Sequence, residues 1–192
     1  METDDRKLVR RCQQGDLEAF KELVERYQRR VYRLAYGMLN NGDDAMDVVQ
    51  ETFIRVHRYV DSFKGTSSFQ TWVYRIATNL CIDCIRRSGR RPTVEYEDTL
   101  KHGDDDDVGD GMLTTPAARP DKALDQQELN AAIRDAVATL SDKHREVILL
   151  REVEGLSYEE IANTLKINKG TVMSRLHHAR LLLQKKLQRY MR

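Results

Sequence analysis

The chain has 192 residues, 40% of them apolar and 33% charged, with a formal net charge of +1, enough apolar material for one compact core or two small ones. No run of about 18 apolar residues occurs, which excludes an ordinary membrane-spanning helix, and the opening METDDRKLVRR lacks the apolar stretch of a secretion signal. A cytoplasmic protein is expected, and three cysteines (Cys12, Cys81 and Cys84) do not suit a disulfide scaffold.

The near-neutral total conceals segregation. Residues 1–95 carry 17 Lys/Arg against 14 Asp/Glu, residues 96–125 carry 3 against 9, and residues 126–192 carry 12 against 8. Two basic segments flank an acidic one. The expected fold is all-α: small helical domains over 1–95 and 126–192, joined by a flexible acidic linker over 96–125.

In the first segment Leu8, Cys12, Leu17, Phe20, Leu23, Val24, Tyr27, Val31, Leu34 and Leu39 keep helical spacing, interrupted near Gly15. The stretch NNGDD at 40–44 reads as a turn whose acidic residues suit a helix N-terminus. The helix predicted next, over about 44–60, places Met46, Val49, Phe53, Val56 and Val60 on its core face. Its opposite face shows Asp47, Gln50, Glu51, Ile54, Arg55 and Arg58. That mixture of charges with one apolar residue fits a protein contact or a solvated face. Asp43, Asp44, Asp47 and Glu51 could gather a magnesium ion, but no second helix offers matching ligands.

A loop, DSFKGTSSFQ at 61–70, leads into a helix predicted from about Thr71 to Arg87. Val73, Ile76, Ala77, Leu80 and Cys84 can face inward. Trp72, Arg75, Asn79 and Arg86 line another stripe, which leads to Arg87, Arg90 and Arg91. Phe63 and Phe69 lie just ahead, among Ser67, Ser68 and Thr71. Rings, hydroxyls, an amide and cations together suit unstacked bases lying across a surface. Phe69 and Trp72 can equally anchor the core, which is the preferred reading of Trp72. Cys81 and Cys84 form a C-x-x-C that reads as core packing, since the further ligands of a zinc site are not nearby.

The acidic segment, YEDTLKHGDDDDVGDGMLTTPAARPDKALD, has Gly103, Gly109, Gly111, Pro116 and Pro120, few large apolar residues and no helical period. It reads as a linker, disordered when free. A calcium loop starting at Asp104 fails, because its fifth position is Val108 and its twelfth is Thr115.

SYEEIANTLKINKGTVMSRL at 157–176 reads as two short helices with a tight turn. Ser157 and Glu160 form a capping box. Ile161, Ala162 and Leu165 supply an apolar face, Ile167 points inward from the turn, and Val172, Leu176 and Ala179 are buried by the second helix. This is the spacing of a helix-turn-helix. Lys169, Thr171, Ser174, Arg175, His178 and Arg180 are left for solvent or DNA, and residues 166–192 hold eight Lys/Arg and no Asp/Glu. The early residues of such a second helix reach base edges in the major groove, while basic neighbours hold phosphates.

Three stretches in order, DAMDVVQETFIRVHRYVDSFKG, FQTWVYRIATNLCIDCIRR and LSDKHREVILLREVEGLSYEEIANTLKINKGTVMSRLHHAR, resemble the extracytoplasmic-function group of RNA polymerase sigma factors. The resemblance covers nearly all of the chain outside 96–125. It implies a region 2 domain that grips the clamp helices of the polymerase β′ subunit through Asp47, Gln50, Glu51, Ile54, Arg55 and Arg58. It implies that the loop 61–71, with Phe63, Ser67, Ser68, Phe69 and Thr71, and the helix residues Arg75 and Asn79, capture a flipped base of the minus-10 element. Arg86, Arg87, Arg90 and Arg91 would hold nearby phosphate.

By the same resemblance, the second domain is region 4. It would read the minus-35 duplex with Lys169, Thr171, Met173, Ser174, Arg175, His177, His178 and Arg180, and would meet the β-flap through 140–155. The acidic linker would occupy basic polymerase surfaces as a nucleic-acid surrogate. An anti-sigma factor is an expected further partner, and no cofactor or enzymatic activity is implied. Met173 departs from the family, many of whose members carry a basic residue at that position. A stand-alone helix-turn-helix regulator and a metal-dependent nuclease are the alternatives. The first would bind duplex DNA tightly without polymerase, and the second would cut DNA with magnesium.

Overall fold

The computed structural model describes residues 2–89 and 120–190. Arg90, Arg91 and most of the acidic linker lie outside the described residues. The described residues hold helices and turns and no strand, and no helix among them is long and apolar enough to cross a membrane.

Helices α1 (Glu2–Gln13), α2 (Leu17–Leu39), α3 (Gly42–Tyr59) and α4 (Phe69–Arg87) build the first domain. Their ends follow local chemistry. Gly15 takes φ +85°, a conformation that a side chain would strain, and lets Asp16 cap α2 by accepting from the Ala19 amide at 3.1 Å. Asn40 closes α2 in the left-handed region, and Asn41 then caps α3, accepting from the amides of Asp43 and Asp44. Arg26 fastens α1 to α2 by bonding Asp5 at 2.6 Å and Asp4 at 2.9 Å, while the Tyr27 hydroxyl donates to Asp5.

Leu23, Tyr27, Val31 and Leu34 of α2 meet Val73, Tyr74, Ala77 and Cys81 of α4 in a core without solvent access. On α3 the inward set is Ala45, Val48, Val49, Thr52, Phe53 and Val56. Met46, expected in that core, is instead 49% exposed. The inward face runs 45–48–49–52–53–56, and Met46 falls about 100° off it. Leu17, also read as apolar pattern, is 69% exposed. Trp72 is buried as preferred, and the Cys81 thiol is held in the core, where burial pushes it up to about 12. A thiol so unwilling to ionise serves packing.

The second domain comprises α5 (Pro120–Ala138), α6 (Asp142–Ile148), a π-type turn (Leu149–Val153), α7 (Tyr158–Leu165) and α8 (Lys169–Leu187). Helix α5 begins five residues before Asp125, the expected end of the linker. Pro120 is its first residue, where the fixed φ and missing N–H of proline start a helix rather than break one. Val147, Leu150, Ile161 and Val172, all without solvent access, form this domain's core. The Arg145 guanidinium collects the end carbonyls of α5, donating to Ala138 at 2.7 Å and Leu140 at 2.8 Å. It also crosses to the first domain and donates to the Met38 carbonyl at 3.0 Å.

Candidate nucleic-acid interfaces and the seam between domains

The helix-turn-helix is assembled from its caps. Ser157 and Glu160 satisfy each other's backbone amides as a complete capping box at the start of α7. Lys166 ends α7 in the left-handed region at φ 56°, and Asn168 caps α8 by accepting from the Thr171 amide at 2.7 Å. Val172, Leu176 and Ala179 are buried, as their spacing requires. The exposed side of α8 presents Lys169, Met173, His177 and Arg180, and Thr171, Ser174 and His178 are half-buried.

Arg175 does not join that face. Its guanidinium turns inward to Glu146 at 3.2 Å, with side-chain exposures of 14% and 10%. Burial pushes Glu146 up to about 7 even against this cation. The arginine therefore compensates an expensive carboxylate and is not free for DNA, contrary to the sequence expectation. Lys169 pairs with Glu159 at 3.0 Å and Arg180 with Glu152 at 2.8 Å, both in solvent. Exposed pairs of this kind are worth about 0–1 kcal/mol, so phosphate can take either cation. The His177 and His178 rings lie 5.7 Å apart, and His178 also faces His144 at 6.2 Å.

In the first domain the expected base-capture residues separate into two groups. Asn79, Arg86 and Arg87 are exposed along α4, and Arg75 is half-buried. Phe69 is buried, 5.5 Å from the Tyr27 ring and 5.8 Å from Trp72, while Phe63 covers both at its half-exposed edge. Phe69 is thus a floor under the loop and offers no open stacking face. Ser68 caps α4 by accepting from the Thr71 amide at 3.0 Å, and Ser67 bonds within the loop. The loop is tied down by Gln13, which donates to the carbonyls of Val60 and Phe63 at 2.9 and 3.1 Å.

The outer side of α3 presents Asp47, Gln50, Ile54 and Arg58, with Ile54 51% exposed, and Glu51 bonds Arg55 at 2.7 Å. Phe20, Val24, Phe53 and His57 join Gln50, Ile54 and Arg58 along a shallow apolar groove.

The two domains touch through a polar seam that the spacing arguments missed. Thr71 Oγ1 donates to Glu160 Oε1 at 2.7 Å, Gln70 Nε2 to the Glu154 carbonyl at 3.1 Å, and the Tyr74 hydroxyl to the Glu154 carboxylate. Glu154 is 8% exposed, and Arg33 approaches its other oxygen at 3.8 Å. Burial raises both Tyr74 and Glu154 above their ordinary ranges. Next to this seam, a Cβ on Gly37 would lie 2.9 Å from the Leu149 methyl carbons. Glutamates in a short loop and at a helix start look solvated in one dimension, so only the tyrosine's place on the inner stripe of α4 hinted at a buried role.

Comparison with known proteins agrees with this geometry. The Sigma-70 region 2 family model matches residues 23–91, and the Sigma-70 region 4 model matches residues 130–183. Fold and matches together define a two-domain transcription-initiation protein of the sigma-70 type. The chain is 40% identical to the ECF RNA polymerase sigma-E factor of Haemophilus influenzae, over 96% of this chain and 95% of that one. It is 37% identical to the ECF RNA polymerase sigma factor SigW of Bacillus subtilis, over 97% and 98% of the two chains. The chain belongs to the extracytoplasmic-function group of RNA polymerase sigma factors. Among solved structures, CnrH in complex with the cytosolic domain of CnrY superposes with a TM-score of 0.68 at 25% identity, over 96% of this chain and 97% of that one. RpoE of Bartonella quintana, in complex with the anti-sigma factor NepR, gives 0.63 at 25% identity, over 88% and 96%.

Proposed function

We propose that this chain binds core RNA polymerase and directs it to promoters through two readings. Residues 1–95 hold the polymerase clamp with the outer face of α3 and capture a minus-10 base at the loop 61–71 and Asn79, with Arg86 and Arg87 on phosphate. Residues 126–192 lay α8 in the major groove of the minus-35 element. The observation that supports this is one chain with two separate exposed surfaces, an acid-free second helix of the helix-turn-helix and an Asn79–Arg86–Arg87 stripe, in the order of the two matched regions.

The closed seam bears on the mechanism. Elements about 25 base pairs apart lie roughly 85 Å apart at about 3.4 Å per pair, whereas here the domains share hydrogen bonds of 2.7–3.1 Å. The closed form cannot span a promoter, so polymerase must separate the domains. A free chain as long as the 24 residues 96–119 ahead of α5 would span roughly 27 Å relaxed and about 80 Å extended. Contacts of this acidic segment with basic polymerase channels offset the entropy of stretching it. Anti-sigma factors of the type solved with the neighbours are the natural regulators, acting by covering the polymerase-binding faces.

Extrusion of one base costs a few kcal/mol, which pocket contacts can return, so the reading needs no catalytic group. Run-off transcription with core polymerase on a randomised promoter library tests it. Promoter-specific transcripts that require this chain are expected. Tight, selective duplex binding by the chain alone, with no affinity for core polymerase, would sink it in favour of a stand-alone regulator.

A further inference from the structure

Resting on the reading of α8 as a minus-35 helix, we infer that Met173 is a specificity-determining residue that selects thymine through its 5-methyl group. Met173 stands in the second turn of α8, about 100° round the helix from Val172, and is 52% exposed. A large apolar side chain so placed leaves about half of its surface open to solvent. The early turns of a recognition helix are the part that reaches base edges.

The neighbouring cations do not compete for this role. Arg175 is committed to buried Glu146 at 3.2 Å. Lys169 and Arg180 stand at either end of the exposed stripe, where their solvated pairs with Glu159 and Glu152 can be exchanged for phosphate. The centre of the reading face is left to a thioether and, one turn on, the His177 imidazole. An imidazole can donate or accept and so does not choose one base. A thioether offers no donor for guanine O6 or N7 and none for adenine N7. In the major groove its complement is the one apolar group displayed there, the thymine methyl.

The test uses the full chain with core polymerase and a duplex library randomised across the upstream element. The wild type should enrich thymine at one position. Replacing that thymine by deoxyuridine, which deletes only the methyl, should weaken binding about fourfold, the worth of one buried methyl group. Met173→Ala should lose both the preference and the methyl effect, with an unchanged melting temperature because the side chain lies in solvent. Met173→Arg should shift the preference at that position to guanine, whose O6 and N7 accept a guanidinium fork. Identical enrichment by wild type and Met173→Ala, with deoxyuridine and thymine bound equally, would overturn the assignment while leaving the sigma-factor reading intact. No enriched upstream element at all would overturn both.

Discussion

The Tyr74 hydroxyl of α4 donates to the Glu154 carboxylate that follows the π-type turn, 80 residues away and in the other domain. Both groups are buried, so neither has water as an alternative partner. Removing the donor leaves a buried carboxylate under-satisfied, and a hydrogen bond to a charged group contributes about 1.5–3 kcal/mol. Tyr74→Phe should therefore shift the free chain towards an open form by that amount. Gly37→Leu, which adds bulk against Leu149, should act in the same direction. Energy transfer between dyes at Arg58 and Gln184 would report the separation. An unchanged distance distribution in both variants would mean that the seam does not hold the domains together.

Asn79 is exposed on α4, clear of both the core and the seam. Asn79→Ala should reduce open-complex yield about tenfold or more if its contact returns over 1.4 kcal/mol of the base-extrusion cost. Polymerase affinity should be unchanged. Permanganate footprinting of the melted bases, beside a binding titration, separates the two quantities. Equal footprints for wild type and variant would remove Asn79 from the pocket.

Ile54 lines the shallow apolar groove on α3 and leaves half of its side chain in solvent. Ile54→Arg should leave the unfolding free energy within about 0.5 kcal/mol of wild type. Its affinity for core polymerase should fall by an order of magnitude or more, as expected for a desolvated apolar anchor at an interface. Fluorescence anisotropy of the labelled chain with core polymerase makes the measurement.

Arg175 and Met173 are two residues apart on α8 and should behave oppositely. Arg175→Ala takes the cation from Glu146, whose carboxyl then takes up a proton, and the cost is that of a lost hydrogen bond to a charged group, about 1.5–3 kcal/mol. It should lower the melting temperature of the second domain before any effect on DNA is resolved. A variant that melts like the wild type but loses DNA affinity would return Arg175 to the DNA-contacting set.

Glu146 carries a pH signature of its own. Its folded value, raised from 4.5 to about 7 by burial, means that the folded domain keeps a proton that the unfolded chain releases. The resulting stability is fully present below about 4.5 and fades as pH rises through about 7. Glu146→Gln should flatten that part of the stability curve relative to wild type. Parallel wild-type and variant curves from denaturant titrations between about pH 5 and 8 would refute the assignment.

The helix order, the capping box of Ser157 and Glu160, and the inner face of α8 were all legible in one dimension. Each rests on neighbours within four residues, where periodicity and side-chain-to-backbone bonding act. Met46 shows the limit of that method. One residue of phase error rotates a side chain by about 100°, and an alanine at 45 was a weaker apolar signal than the methionine beside it. The start of α5 was missed for a related reason, since proline marks both linkers and first turns.

One dimension was enough to read the kind of molecule: two all-α domains, one with a helix-turn-helix. These follow from short-range spacing and from charge counted along the chain. Which charges remain available emerges only from the folded chain. Arg175 and Glu154 look alike solvated on paper, and both are drawn inside by partners 29 and 80 residues away. Burial and pairing depend on groups brought together from distant parts of the chain, and spacing carries no record of them until the fold has formed.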